Sequence, residues 1–194
     1  MSVKQQRYGP GEAILFPGAA DKLYLVREGL VRLHTVDDEG RGLTLRYVKP
    51  GGFFGEEALT GAERRYFAEA VAEAVLELRS PRTLSPAERR ALTLHLAAAV
   101  GGLYRSLARL SGKRLKARLA AELLELCDSP LTETDEAGDP VVRITHDDLA
   151  AAVGSVRETV TKVIGDLSRE GALEAGYGRI ILRDPAALRR HALE

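Results

Sequence analysis

The chain has 194 residues, of which 45% are hydrophobic and 29% charged, as in a folded globular protein and unlike a disordered or fibrous one. That length allows one large domain or two smaller ones, each with its own core. Its 28 basic and 28 acidic residues cancel, and the single cysteine, Cys127, excludes an internal disulfide and any multi-cysteine metal cluster. The neutral charge supplies no long-range attraction to nucleic acid, so local clustering would have to provide it.

No targeting or membrane segment is expected. The stretch 1–9 (MSVKQQRYG) has no apolar run, and the longest weakly polar stretch, 92–104, contains His95 and is too short to span a bilayer. We therefore expect a cytoplasmic protein without a membrane partner.

Glycines alternate with short apolar runs up to about residue 80. This spacing predicts short strands joined by hairpins, and the polar DDEG at 37–40 predicts a tight turn. The predicted strands lie at 13–16, 23–36, 43–48 and 67–78. Several strands at such intervals indicate an antiparallel barrel or jelly roll.

A long helix is predicted next. Ser85, Pro86 and Glu88 form a capping box with proline in the first helical position. A narrow apolar stripe follows at spacings of three and four residues: Leu92, Leu96, Ala99, Leu103, Leu107 and Leu110. The stripe favours pairing with a second copy, as in a coiled coil, while packing on the preceding barrel remains an alternative.

The helix is expected to break at Ser111-Gly112, a predicted hinge. A second helix is predicted at 113–127, followed by an acidic surface loop at 128–140. Around the hinge lies a basic run without acidic residues: Arg105, Arg109, Lys113, Arg114, Lys116 and Arg118. It is either a solvated helix face or, as a hypothesis, a surface that neutralises phosphate.

The remaining chain predicts a helix-turn-helix. After a short strand at 141–144, Thr145 is placed to cap a helix, and Gly154 to form the turn. Small or apolar residues stand where the two helices pack: Leu149, Ala150, Val153, Val160 and Val163. With Ser155 as N-cap of the second helix, an exposed edge is left near its start: Val156, Arg157, Glu158, Thr161 and Lys162.

That edge suits a recognition helix in the major groove. The Arg157 fork matches guanine O6 and N7, and the Glu158 carboxylate can accept from cytosine N4. Gly171 is expected to end the helix, and 172–184 predicts two strands around a glycine turn. This is a wing whose Arg179 is placed to touch phosphate.

The stretch ITHDDLAAAVGSVRETVTKVIGDLSREGAL (144–173) resembles the DNA-binding motif of the bacterial CRP/FNR transcription regulators, and KPGGFFGEEALTG (49–61) resembles their barrel signature. The resemblance implies an α+β protein with three parts. These are a cyclic-nucleotide-binding-type jelly-roll barrel at 1–84, a dimerisation helix and hinge at 85–112, and a winged helix-turn-helix at 113–194. It also implies that Arg157 and Glu158 read bases, that Lys162 reads a third where the catabolite activator has arginine, and that Thr145 contacts phosphate.

The effector pocket departs from the family pattern. Gly55, Glu56 and Glu57 stand where cyclic-AMP-binding relatives hold ribose and phosphate, but Arg64-Arg65 replaces the expected Arg-Ser or Arg-Thr pair. A cyclic nucleotide, another effector or none at all therefore remain open. An iron–sulfur sensor would need more cysteines, and His34 and His95 are simpler to explain as a strand and a helix residue than as haem ligands.

The predicted function is a homodimeric, sequence-specific transcription regulator on a palindromic operator. It is expected to be an activator that contacts RNA polymerase through 128–140, because the catabolite activator uses a loop there. The alternative is a repressor that requires a cyclic nucleotide or another small effector. No hydrolase, zincin or phosphate-loop motif is present, so no enzyme is expected; a ligand-binding protein whose helix-turn-helix binds proteins is a further alternative.

Overall fold

A computed structural model describes residues 4–194, so the first three residues of the stretch 1–9 lie outside the described residues. The chain forms two compact units. One comprises the chain up to Thr35 together with Leu45–Arg105, and the other comprises Val36–Thr44 with Ser106–Glu194. Among the described residues, no helix is long and apolar enough to cross a membrane.

The N-terminal strands form two four-stranded antiparallel sheets in jelly-roll style, ordered β1-β8-β3-β6 and β2-β7-β4-β5. The strands are β1 Gln5–Tyr8, β2 Ala13–Leu15, β3 Leu23–Glu28, β4 Val31–Val36, β5 Gly42–Val48, β6 Phe53–Phe54, β7 Phe67–Ala70 and β8 Ala74–Arg79. The predicted jelly roll is confirmed, although its sheets do not close into a barrel. Strands β1 and β6, which lie outside the predicted runs, complete the first sheet.

Alternation along the strands fills the core between the sheets. In β4, Val31 and Leu33 are buried while Arg32 and His34 are only partly so, because successive side chains point to opposite faces. Buried residues from both sheets form one cluster: Leu15, Val26, Val31, Leu33, Val48, Phe54, Tyr66, Ala68, Ala70, Ala74 and Leu76.

The long helix is α1, Pro86–Gly112, and its predicted capping box is present. The Ser85 N–H donates to Glu88 Oε2 at 2.8 Å, and the Glu88 N–H donates to Ser85 Oγ at 3.2 Å. Pro86 opens the helix, which runs unbroken to Gly112. The predicted hinge is therefore the end of this helix.

Besides Val36–Thr44 and the end of α1, the second unit holds four helices and a four-stranded antiparallel sheet ordered β11-β12-β10-β9. Its elements are α2 Leu115–Leu126, β9 Thr132–Thr134, β10 Pro140–Val142, α3 His146–Val153, α4 Arg157–Arg169, β11 Glu174–Gly176, β12 Arg179–Ile181 and α5 Pro185–Leu193. The predicted surface loop at 128–140 contains a strand, β9, which pairs with β10 at its end to form a hairpin. Helix α5, which packs on α2, was not predicted.

Candidate nucleic-acid interface and effector pocket

The helix-turn-helix forms around Gly154 as predicted. Gly154 has a φ of 62°, in the left-handed region that glycine adopts without strain. Four of the five predicted packing positions are buried: Leu149, Ala150, Val153 and Val160. Val163 is only partly buried, and Ile164 and Leu167 complete the inner face of α4 instead.

Ser155 is not the N-cap of α4. Its N–H donates to Ala150 O at 2.9 Å, a bond typical of a Schellman motif after a left-handed glycine. The N-cap is Val156, which has no capping side chain. The turn thus uses Ser155 to close α3, and α4 starts one residue later than predicted.

The predicted edge of α4 is solvent-exposed. Because Val160, Ile164 and Leu167 bury one face at spacings of four and three residues, the opposite face is left free. The structure brings five predicted residues together on that exposed part of the helix start: Val156, Arg157, Glu158, Thr161 and Lys162.

The first turn of α3 lies beside this edge. Thr145 caps α3 as predicted, because the Asp148 N–H donates to Thr145 Oγ1 at 3.1 Å. The next two residues contact α4: Arg157 Nη1 lies 3.2 Å from Asp147 Oδ2, and His146 Nδ1 lies 2.9 Å from Thr161 Oγ1. The sequence analysis predicted neither contact, because each joins side chains on different helices.

The wing is formed by β11 and β12, with Gly178 at its turn (φ 64°). Arg179 is exposed and pairs in register with Gly176. A Cβ at position 176 would lie 3.0 Å from Arg179 Nε, so the arginine side chain lies across the glycine. At the tip, Tyr177 is fully exposed.

Most members of the basic run 105–118 have partners within the protein, and the hypothesis that the run neutralises phosphate stays a prediction. Arg109 pairs with Glu125, and Lys116 Nζ lies 2.6 Å from Glu170. Lys113 Nζ donates to Ala192 O at 2.5 Å. Arg118 donates to the carbonyls of Val153 and Lys113, each at 3.0 Å.

The acidic segment 128–140 is also partly neutralised internally. Arg183 Nη1 lies 3.0 Å from Asp135 and 2.6 Å from Asp139, and backbone N–H groups together with these contacts lower the pKa of Asp135. Glu136 stays exposed at the hairpin turn.

The predicted effector pocket starts at Gly55 (φ 81°), which precedes a 3-10 helix, Glu56–Leu59. The Gly55 N–H donates to the Tyr66 hydroxyl at 3.0 Å, and that hydroxyl donates to Glu57 Oε2 at 3.1 Å. Burial, with Glu56 and Glu57 nearby, raises the pKa of Tyr66. The Tyr66 hydroxyl is thus the hydrogen-bond acceptor for the N–H of Gly55, one of the predicted effector-pocket residues.

The charged residues of the pocket have partners within the same unit. Glu56 Oε1 lies 2.6 Å from Arg46 Nη2, and burial raises the pKa of Glu56 although Arg46 opposes it. Arg64 is 7% exposed and donates to Phe16 O at 3.1 and 3.0 Å, whereas Arg65 is exposed. Glu56 and Arg64 are therefore engaged within their own unit, and the effector pocket stays a prediction.

The apolar stripe of α1 divides into two parts. Leu92 is buried with Leu23, Leu25, Phe53 and Leu84 of the same unit, and Leu96 packs against them. At these two residues the helix packs on its own jelly roll, as the alternative interpretation predicts; Leu92 is buried there, and Leu96 is partly buried. Ala99 is partly buried, and exposed large apolar side chains follow along α1: Val100, Leu103, Tyr104, Leu107 and Leu110.

A metal centre finds no support in the described part of the chain, where no group of three or more His, Cys, Asp or Glu side chains is placed to hold an ion. His34 stacks on Phe67 with ring centroids 5.5 Å apart. His95 Nε2 lies 3.2 Å from Arg46 Nη1, and burial lowers its pKa.

Family models match both parts of the chain: a cyclic nucleotide-binding domain over residues 5–82 and a Crp-like helix-turn-helix domain over 117–191. A crystal structure of a CRP/FNR-family transcriptional regulator from Thermus thermophilus has a TM-score of 0.94 and 50% identity, over 98% of this chain and 99% of that one. The chain belongs to the CRP/FNR family.

Its relatives in this family are transcription regulators. The transcriptional regulator SdrP of Thermus thermophilus is 54% identical over 185 residues, which cover 94% of this chain and 91% of SdrP. The cyclic AMP receptor protein of the same organism is 34% identical over 197 residues, with 97% and 88% covered. This CRP/FNR protein is thus a transcription regulator with a DNA-binding helix-turn-helix and a cyclic-nucleotide-binding-like domain.

Proposed function

We propose that this CRP/FNR regulator is a homodimeric activator that reads a palindromic operator with α4 and needs no cyclic nucleotide. The observation that carries the proposal is the exposed edge of α4, where Arg157, Glu158 and Lys162 stand on one side of a helix whose other side is buried. Three polar side chains at the start of such a helix match what a recognition helix presents to base edges.

Each side chain has a chemical role in this proposal. Arg157 donates to guanine O6 and N7, Glu158 accepts from cytosine N4, and Lys162 provides a single-point donor with less geometric selectivity. Val156 is placed for an apolar contact such as a thymine methyl. Thr145 on α3 and Arg179 on the wing contact phosphate, which positions the helix without specifying sequence.

Substituting Arg157 by Ala tests base reading. Discrimination at one guanine per half-site should fall by about 1–3 kcal/mol, measured by titrating matched and single-base-mismatched operators. Arg169→Ala is the matched control, because it removes an exposed arginine from the far end of α4. If Arg157→Ala weakens binding to matched and mismatched operators equally, base reading is contradicted. An operator affinity that does not fall as salt is added would favour a helix-turn-helix that binds proteins instead of DNA.

Dimerisation is proposed through the exposed part of α1. Val100, Leu103, Tyr104 and Leu107 are 45%, 37%, 68% and 61% exposed, an apolar surface that a second copy of the helix would bury. Leu107→Asp should shift sedimentation from dimer to monomer. The control is Val36→Asp, which places the same charge at an exposed apolar residue on a strand. A dimer that survives Leu107→Asp would contradict this interface.

Independence from cyclic nucleotide is supported by contacts within the predicted pocket: the Gly55 N–H donates to the Tyr66 hydroxyl, and Arg46 donates to the Glu56 carboxylate. The second candidate function is a repressor that requires a cyclic nucleotide or another small effector, favoured by the cyclic nucleotide-binding domain match over residues 5–82. Selection of binding sites from random DNA, with and without cyclic AMP, separates them. Enrichment that occurs only with cyclic AMP would support the second.

Activation is proposed to use the turn of the β9–β10 hairpin as a contact for RNA polymerase. Asp135 and Asp139 are held by Arg183, which fixes the turn and leaves Glu136 exposed. Glu136→Lys should reduce transcription in a purified system while operator affinity is unchanged. Undiminished transcription would contradict the contact.

A further inference from the structure

The first turn of α3 contacts the reading edge of α4 through two consecutive side chains. Asp147 Oδ2 lies 3.2 Å from Arg157 Nη1, and His146 Nδ1 lies 2.9 Å from Thr161 Oγ1. Arg157 and Thr161 are four residues apart on one helix, so they lie on the same face. Both are held from the same side by one neighbouring helix.

We propose that His146 and Asp147 are positioning residues, a clamp that fixes the Arg157 and Thr161 side chains in their base-reading conformations. The inference rests on the proposed function, because it assumes that Arg157 reads a base. It adds two residues of α3 that set sequence specificity without themselves contacting a base.

Asp147 is placed unlike its neighbour Asp148. The Asp148 carboxylate accepts from Thr145 Oγ1 at 2.6 Å and so belongs to the cap of α3. Asp147 instead pairs with Arg157 on the next helix. An acidic side chain at an edge that meets DNA repels phosphate, so its place there is explained if it orients the arginine.

The contact with Asp147 leaves Arg157 able to donate to a base. Asp147 contacts Nη1, and the guanidinium has five N–H donors in a planar fork. The edge formed by Nε and Nη2 therefore remains for guanine O6 and N7. An unpaired arginine would have to lose rotamer freedom on binding, whereas a held one has lost part of it beforehand.

His146 acts on Thr161 in a similar way. A threonine in a helix divides between two χ1 rotamers, because its hydroxyl can also bond back to a carbonyl of the preceding turn. The contact with His146 selects the rotamer that points the hydroxyl towards α3. The methyl group is then fixed as well.

The clamp is tested with the full-length protein, titrated with the selected operator and with every single-base variant of one half-site. Asp147→Ala is compared with Asp166→Ala, which removes an acid from the far end of α4 where it pairs with Arg169. Both variants lose one negative charge and should bind all DNA somewhat more tightly. Asp147→Ala alone should also lose about twofold to fivefold discrimination at the guanine read by Arg157.

Two further variants complete the test. In an Arg157→Ala background, Asp147→Ala should change discrimination no further. His146→Asn, whose amide replaces Nδ1, should preserve the base preference next to Thr161, and His146→Ala should weaken it. If Asp147→Ala and Asp166→Ala shift all sites equally while Arg157→Ala loses discrimination, the clamp is wrong and base reading stands. If Arg157→Ala loses none, base reading and the clamp both fail.

Discussion

The effector pocket and the reading edge of α4 use the same kinds of side chain in opposite ways. In the pocket, Arg46 and Tyr66 of the same unit bind Glu56 and the Gly55 N–H. On α4, Glu158 and Lys162 are exposed to solvent, and Arg157 has a partner, Asp147, that is itself exposed. The first set of groups is mostly paired within the fold, although Glu56 Oε2 is buried without a hydrogen-bond partner among the described residues, and the second set is available to a ligand.

This difference separates stability from binding. A group whose hydrogen-bond partner is buried beside it contributes to the free energy of folding, because removing the group leaves the partner buried without a hydrogen bond. A group exposed to solvent contributes little to folding, since water replaces whatever it loses. Substitutions at the two regions should therefore affect different measurements.

The largest effect is expected at Arg46. Arg46→Met leaves the Glu56 carboxylate partly buried without its cation, which should lower the free energy of unfolding by about 2–4 kcal/mol. Urea unfolding measures the loss, and adding Glu56→Gln should recover much of it. A loss below about 1 kcal/mol would mean that water already solvates this pair, and the pocket would then be open.

Glu122 in α2 differs from the other acidic residues of its unit, since it is partly buried and its pKa is raised. Burial, with the charge of Glu125, raises its pKa to about 7 from a usual 4.5. A raised pKa in the folded state means that this group's contribution is complete below about pH 4.5 and is lost as the pH rises through about 7. At about pH 8, Glu122→Gln should be more stable than the parent by about 1–3 kcal/mol.

The difference between parent and Glu122→Gln isolates this group, because Glu170, Asp135 and Glu133 have lowered pKa values and act in the opposite direction in both proteins. Thermal or urea unfolding from about pH 4.5 to about pH 8 measures it. Parallel stability curves for the two proteins would show that Glu122 is ionised at neutral pH without cost.

Tyr66→Phe should have a smaller effect. Loss of the hydroxyl leaves the Gly55 N–H and the Glu57 carboxylate without a partner, and stability should fall by about 1–2 kcal/mol. The freed N–H should also allow cyclic AMP to bind more tightly than to the parent, measured by calorimetry. Leu59, an exposed residue of the same segment, provides the control Leu59→Ala, for which neither quantity should change.

The sequence predicted well what depends on near neighbours along the chain. Ser85 and Glu88 form a capping box three residues apart, and Gly154 forms its turn from its own φ preference. The α4 edge followed from periodicity, because the buried positions of a helix determine which residues remain outside.

What the sequence did not predict depends on partners distant in the chain. Arg46 meets Glu56 and His95 only after β5, the 3-10 helix and α1 come together. Four members of the basic run have partners in other elements of their unit. The clustering of six basic residues in the sequence could not show these contacts, because the partners are distant in the chain. Leu92 and Leu103 belong to one stripe by spacing, and only packing separates the buried residue from the exposed one.

The smallest effect on stability is expected at Arg157. This variant tests most directly the comparison between the effector pocket and the exposed edge of α4. The Arg157–Asp147 pair has side chains 63% and 64% exposed, so Arg157→Ala should change the free energy of unfolding by no more than about 0.5 kcal/mol. The same variant should lose far more than this in operator discrimination. A stability loss comparable to that of Arg46→Met would place Arg157 in the fold, and any weakening of DNA binding would then report unfolding of α4 instead of a missing base contact.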